Sequence, residues 1–158
     1  EDLQNFVHLG DANFRDGEFA KAQAMYQAAL SADLSGQYSD AAHFGLGMCY
    51  LQSGQETRAL EEFQTVIVRY PGSPKYARAA VEGVRLLMKR RQFAAARRIL
   101  YQVIGRSGGF AQEDRVCVEW AYYAIARSYE GEAEYRKVTL PAVYSTISSL
   151  PTKRRDQP

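Results

Sequence analysis

Apolar residues recur at helical spacing along nearly the whole chain, and the polar stretches between them are rich in turn formers. Phe6, Leu9, Gly10 and Phe14 share one helical face and predict a helix from Leu3 to Arg15. Asp16-Gly17 breaks it, because glycine accepts the left-handed conformation that ends helices. Phe19, Ala22, Tyr26 and Ala29 predict a second helix from Glu18 to about Leu30, followed by a loop from Ser31 to Ser39. A third helix is predicted over Asp40 to Gln52, a turn at Ser53-Gly54, and a fourth helix over Gln55 to Arg69. Tyr70-Pro71-Gly72-Ser73-Pro74 stops that helix, since proline cannot continue it. Ser73-Pro74 suits the start of a fifth helix running to about Arg90. A sixth spans Gln92 to about Ile104, and Gly105 to Gly109 is a break. A seventh is predicted from about Ala111 to Tyr129, a turn at Glu130-Gly131, and an eighth from Glu132 to Leu150 that Pro141 must kink or split. No stretch alternates as a strand does.

The eight helices form four helix-turn-helix pairs, and their spacing repeats. Gly10, Gly17, Ala22 and Tyr26 set a pattern of small residue, turn, small residue, ring; Gly47, Gly54, Ala59 and Phe63 repeat it. Val84, Arg91, Ala96 and Leu100 form a weaker third unit, and Ala124 with Gly131 a fragment of a fourth. The units start 37, 37 and 40 residues apart, and a period of roughly 20–50 residues marks stacked repeat architectures. The expected fold is therefore all-α, a right-handed α-α superhelix of about four pairs (2–32, 39–70, 73–105 and 111–150), with 151–158 as a flexible tail or linker. Gly10, Ala22, Gly47 and Ala59 would let paired helices approach closely, while Phe19, Tyr26, Tyr50 and Phe63 fill the space between successive pairs.

At these residues the chain resembles the tetratricopeptide repeat family, whose pattern is Trp-x2-Leu-Gly-x2-Tyr, then Gly, Ala and Phe at fixed offsets and a closing Pro. Phe6, Leu9, Gly10, Gly17, Phe19, Ala22, Tyr26 and Ala29 match in the first unit; Leu46, Gly47, Tyr50, Gly54, Ala59, Phe63 and Pro71 match in the second. The third keeps Phe93, Ala96 and Leu100, and the fourth Trp120 and Ala124. Departures are Asn13 in a tyrosine slot, Glu56 in an aromatic slot and Gly83-Val84 for Leu-Gly. Residues 63–77 are also similar to the inter-repeat junctions of bacterial outer-membrane assembly lipoproteins and periplasmic Tol–Pal coordinators. That likeness implies a non-catalytic scaffold in a bacterial multiprotein complex, in the periplasm or cell envelope rather than the cytoplasm.

Composition adds limits. The 158 residues carry 46% hydrophobic and 24% charged positions and a net charge of +2, which gives no strong electrostatic case for nucleic acid or anionic membrane. Cys49 and Cys117 lie in helical patterns without CxxC spacing and read as reduced structural thiols. His8 and His43 lack a second ligand one turn away, and Gly105 to Gly109 neither follows a strand nor precedes Gly-Lys-Ser/Thr. Glu61-Glu62, Glu113-Asp114 and the serines of 145–149 form no catalytic arrangement. No catalytic, metal or cofactor residue is assigned. The chain opens on Glu1 with its first helix starting almost at once, as a processed or trimmed segment would.

In the repeat fold the first helix of each pair lines a concave groove. Helical spacing places Val7, Asp11 and Phe14 there in the first pair and Phe44, Met48 and Leu51 in the second. Arg78, Val81, Arg85 and Met88 follow in the third, and Ala121, Tyr122, Ile125 and Tyr129 in the fourth. The expected ligand is a protein or peptide, anchored on Phe44, Met48, Leu51 and Met88 with an acidic group near Arg78 and Arg85. The competing assignment makes the apolar set core. Val7 and Asp11 stand where a carboxylate clamp would need a cation and an amide, which argues against one. Arg85, Lys89, Arg90, Arg91, Arg97 and Arg98 form a basic edge, either a solvated face or a contact for nucleic acid or lipid headgroups. A regulatory role beside an enzyme lying beyond Pro158 is the remaining alternative. Trp120, Tyr122, Tyr123 and Tyr129 make the fourth pair aromatic for an outer face, so it either continues into further chain or packs against another copy.

Overall fold

The computed structural model describes residues 3–33, 35–111 and 114–148, with side chains at 135 and 137–148 left aside. Its helices are α1 (Leu3–Arg15), α2 (Phe19–Ala32), α3 (Ser39–Gln52), α4 (Glu56–Arg69), α5 (Tyr76–Lys89), α6 (Phe93–Gly105) and α7 (Arg115–Ser148), and Ser107–Gly109 forms a 3₁₀ turn. There is no strand among the described residues. Each helix packs on the next, and α1 also meets α3 and α5 meets α7. This is the expected all-α superhelix of helix-turn-helix pairs.

One turn joins all three pairs. The N–H groups of Glu18, Gln55 and Gln92 each donate to the carbonyl five residues back, at 2.8 Å in every case. Gly17, Gly54 and Arg91 precede them with φ of 80°, 72° and 59°. Such a motif satisfies the carbonyls a helix end leaves unpaired, and it needs a left-handed residue. The third pair places Arg91 where the others use glycine, at a conformational cost of about 1–2 kcal/mol.

Rings wedge against glycines between helices. Tyr26 of α2 lies between α1 and α3 so closely that a Cβ on Gly10 would stand 2.6 Å, and one on Gly45 2.3 Å, from its ring carbons. Phe63 of α4 meets Gly47 in the same way, 2.6 Å from where a Cβ would be. Tyr26, Phe63 and Tyr50 are buried, as are Ala22, Ala59 and Ala96, whereas Phe19 is only partly covered.

The α2–α3 connection is organised by a buried carboxylate. Asp33 accepts from the Ser35 hydroxyl (2.8 Å), the Gln37 N–H (3.2 Å), the Tyr38 N–H (2.7 Å) and the Ser39 hydroxyl (3.1 Å). Burial alone would raise its pKa; the Tyr38 N–H, both hydroxyls and the Gln37 N–H outweigh burial and hold it at about 2.

The largest departure from the predicted elements is α7. Glu130-Gly131 does not turn the chain: one helix of 34 residues replaces the predicted seventh and eighth and runs through position 141. Gly131 serves a close approach instead, since a Cβ there would lie 2.8 Å from Cζ of Phe93 in α6. Glu132 then ties the helix across this point, accepting from Arg97 at 2.7 Å and Arg136 at 3.0 Å. The fourth pair is thus a single long helix against α5 and α6. The expected tail at 151–158 lies outside the described residues.

Candidate functional site

Between α1 and α3 lies a partly open, mainly apolar cavity of about 350 Å³, at the lower end of the roughly 300–1,000 Å³ typical of ligand pockets. Val7, Phe14, Phe44 and Met48 supply its apolar lining. Phe14 is set by an edge-on contact with Phe19, centroids 5.3 Å apart. Phe44 leans on Phe63 (5.9 Å), so one side of its ring belongs to the core and the other to the cavity. Met48 likewise packs against the core while lining the cavity. The two assignments set out for these residues, groove and core, both describe part of each side chain.

Tyr26 also reaches the cavity, and its hydroxyl donates to Asp11 at 2.6 Å. Burial first, and then the neighbouring Asp11, raise the tyrosine pKa well above its ordinary 10.0, so it remains a donor. This bond engages Oδ1 of Asp11, the one acid that lines the cavity among the described residues.

Lys75 stands at the rim. Its N–H donates to the Ser73 hydroxyl oxygen (2.8 Å), and that hydroxyl donates to Asp40 near the start of α3. Ser73 therefore acts one turn ahead of α5, which begins at Tyr76, and fixes the loop that carries Lys75 to the cavity. The ammonium lies 5.8 Å from the Phe44 ring centroid and makes no ion pair among the described residues. Sequence spacing missed Lys75 because a cross-helix bond, not a helical register, positions it. His8 and Tyr38 also border the cavity and were missed, as they lie off the expected groove face.

Of the residues predicted for the groove face, Val7, Asp11, Phe14, Phe44 and Met48 come together; Leu51 and those of the third and fourth pairs do not line this cavity. Leu51 and Met88 pack partly buried against the core, and Val81 is partly buried. Arg78 faces Asp114 at 3.7 Å. Arg85 lies 3.9 Å from Glu82 and over the Trp120 ring at 5.6 Å. Tyr122 is 61% exposed on α7. The basic edge is largely knitted into the fold: Lys89 pairs with Glu56, Arg90 donates to Thr57 (2.8 Å), and Arg97 pairs with Glu132.

The remaining reactive groups are structural. Cys49 is buried, which pushes its thiol up to about 11. His43 contacts Glu62 at 2.6 Å. Among the described residues no group of three or more His, Cys, Asp or Glu could hold a metal ion, and no helix is long and apolar enough to cross a membrane.

Residues 8–74 match the tetratricopeptide repeat family. The matched stretch runs from within α1 into the loop before α5 and contains most of the cavity lining, but not Gln4, Val7 or Lys75. Tetratricopeptide repeats generally mediate protein–protein interaction and scaffolding, and the fold is typically non-catalytic. None of the curated proteins matches the chain.

Proposed function

We propose that this chain is a scaffold whose α1–α3 cavity receives an apolar side chain of a protein partner, with an acidic group of the same partner on Lys75. One observation supports it above the others: an apolar cavity of about 350 Å³ lined mostly from the stretch that matches the repeat family, with the Lys75 ammonium, just beyond that stretch, at its rim and in no ion pair among the described residues. A ring or Leu-sized anchor suits that volume, and Phe44 and Met48 offer it an adaptable apolar surface. The acid is recognised at Lys75 rather than at Arg78 or Arg85, which face Asp114 and Glu82. The likeness of residues 63–77 to junctions in bacterial envelope repeat proteins favours a partner within such an assembly.

A library of fluorescent synthetic peptides, varied in apolar and acidic content, tests this reading. Selected binders are expected to pair a large apolar residue with a nearby Asp or Glu. Phe44→Ala with Met48→Ala should weaken them at least about tenfold, and Lys75→Glu should shift selection away from acidic peptides. Unchanged affinity in the Phe44→Ala/Met48→Ala protein, with folding intact by circular dichroism, would reject the cavity as the site.

A further inference from the structure

The 34 residues of α7 extend about 50 Å at 1.5 Å per residue, whereas the α6 helix that packs on it has only 13. That packing uses the face carrying Ala121, Ala124 and Ser128, and reaches Gly131 and Glu132. A different face carries Glu119, Tyr122, Ala126, Tyr129, Ala133 and Arg136, spaced alternately three and four residues apart. All six are exposed, Tyr122 by 61% and Tyr129 by 52%. Such spacing is the seam of a two-helix coil; among the described residues α6 meets it at Tyr129, through Arg97, and all six positions nonetheless remain exposed.

We propose that this stripe is a self-association surface, on which α7 of a second copy lies antiparallel. The stripe is complementary to itself in one register, with the two-fold axis between Arg127 and Ser128. There Tyr122 meets the second copy's Ala133, Ala126 meets its Tyr129, and Glu119 meets its Arg136, each pair occurring twice by symmetry. Every layer sets a ring against a small residue or an acid against a base. Parallel pairing in register would instead stack ring on ring and like charge on like charge.

The charges are available for it. Glu119 makes no ion pair or side-chain hydrogen bond among the described residues. Arg136 uses Nη2 on Glu132 in an exposed i,i+4 pair, which is a weak competitor. Tyr129 is already held, with the Arg97 guanidinium 4.2 Å from its ring centroid, so docking on it costs little side-chain freedom. Tyr122 and Tyr129, out of place on an outer face, then lie in the interior of a dimer. The surface is separate from the α1–α3 cavity and stands independently of what that cavity binds.

Sedimentation equilibrium of the 158-residue chain, from low micromolar to submillimolar concentration, tests it. The chain is expected to reach twice its monomer mass. Glu119→Arg and Arg136→Glu should each raise the dimer dissociation constant about tenfold or more by placing like charges opposite one another. The double variant should recover the wild-type constant, and an equimolar mixture of the two single variants should form heterodimers. Circular dichroism of each variant checks that α7 is retained. A wild-type chain that stays monomeric, leaving the stripe to a tail segment or another protein, overturns the proposal. So does a dimer that neither reversal weakens, or one that the double variant does not restore.

Discussion

Replacing Tyr26 by Ala is expected to remove about 4 kcal/mol of folding stability, the cost of deleting a large buried ring. The ring is 2% exposed and wedged between Gly10 of α1 and Gly45 of α3, which have no side chains to collapse into the space left. Deletion therefore opens a void across three helices at once. Tyr26→Phe keeps the ring and loses only the bond to Asp11, whose carboxylate is exposed and can turn to water, so about 1 kcal/mol is expected. Urea unfolding of both variants separates the two contributions. Set against a typical total of about 5–15 kcal/mol, the alanine variant should leave the N-terminal pairs marginal. A loss below about 1.5 kcal/mol would mean that α1 and α3 close on each other without the ring.

Asp33 carries the second large effect. Asp33→Ala leaves two backbone N–H groups and two hydroxyls at the α2–α3 connection without their acceptor, and about 3 kcal/mol is expected to be lost. The same group predicts a pH dependence. Its pKa in the folded chain is about 2, below the ordinary 3.8. Its contribution is fully present above pH 3.8 and is lost as pH falls from 3.8 through about 2. Asp33→Asn cannot titrate, so its stability should fall less steeply across that window than the wild-type chain's. Parallel urea titrations at several acidic pH values read this difference directly; equal slopes in the two proteins would assign the acid sensitivity elsewhere. Because Asp33 sets the first turn of α3, and with it Tyr38 at the cavity, both variants should also weaken peptide binding.

The predicted elements and the observed ones agree closely through α6 because the signals there are local. Glycine at 17 and 54 permits the left-handed turn, and the ring and small-residue positions recur in each unit. Arg91 shows that position can govern even where residue type does not, since the turn forms without glycine. The fourth unit was misread because glycine allows two outcomes. At Gly17 its backbone freedom makes a turn; at Gly131 its missing side chain admits the Phe93 ring into an unbroken helix. Only the arrival of Phe93, distant in sequence, separates the two.

The site divides along the same line. Phe14, Phe44 and Met48 were legible because helical spacing puts them on one face of their own helices. Lys75 was not, because a hydrogen bond from Ser73 to Asp40, across thirty-odd residues, places it. By itself the sequence determined the first six helices, their pairing and the 37-residue step, all consequences of short-range periodicity and backbone preference. Tertiary structure alone decided which cation overlooks the cavity, that Asp33 is buried as a hub, and that Gly131 continues a helix whose outer stripe stays open. Each of these depends on a side chain meeting a group far along the chain, which no local pattern encodes.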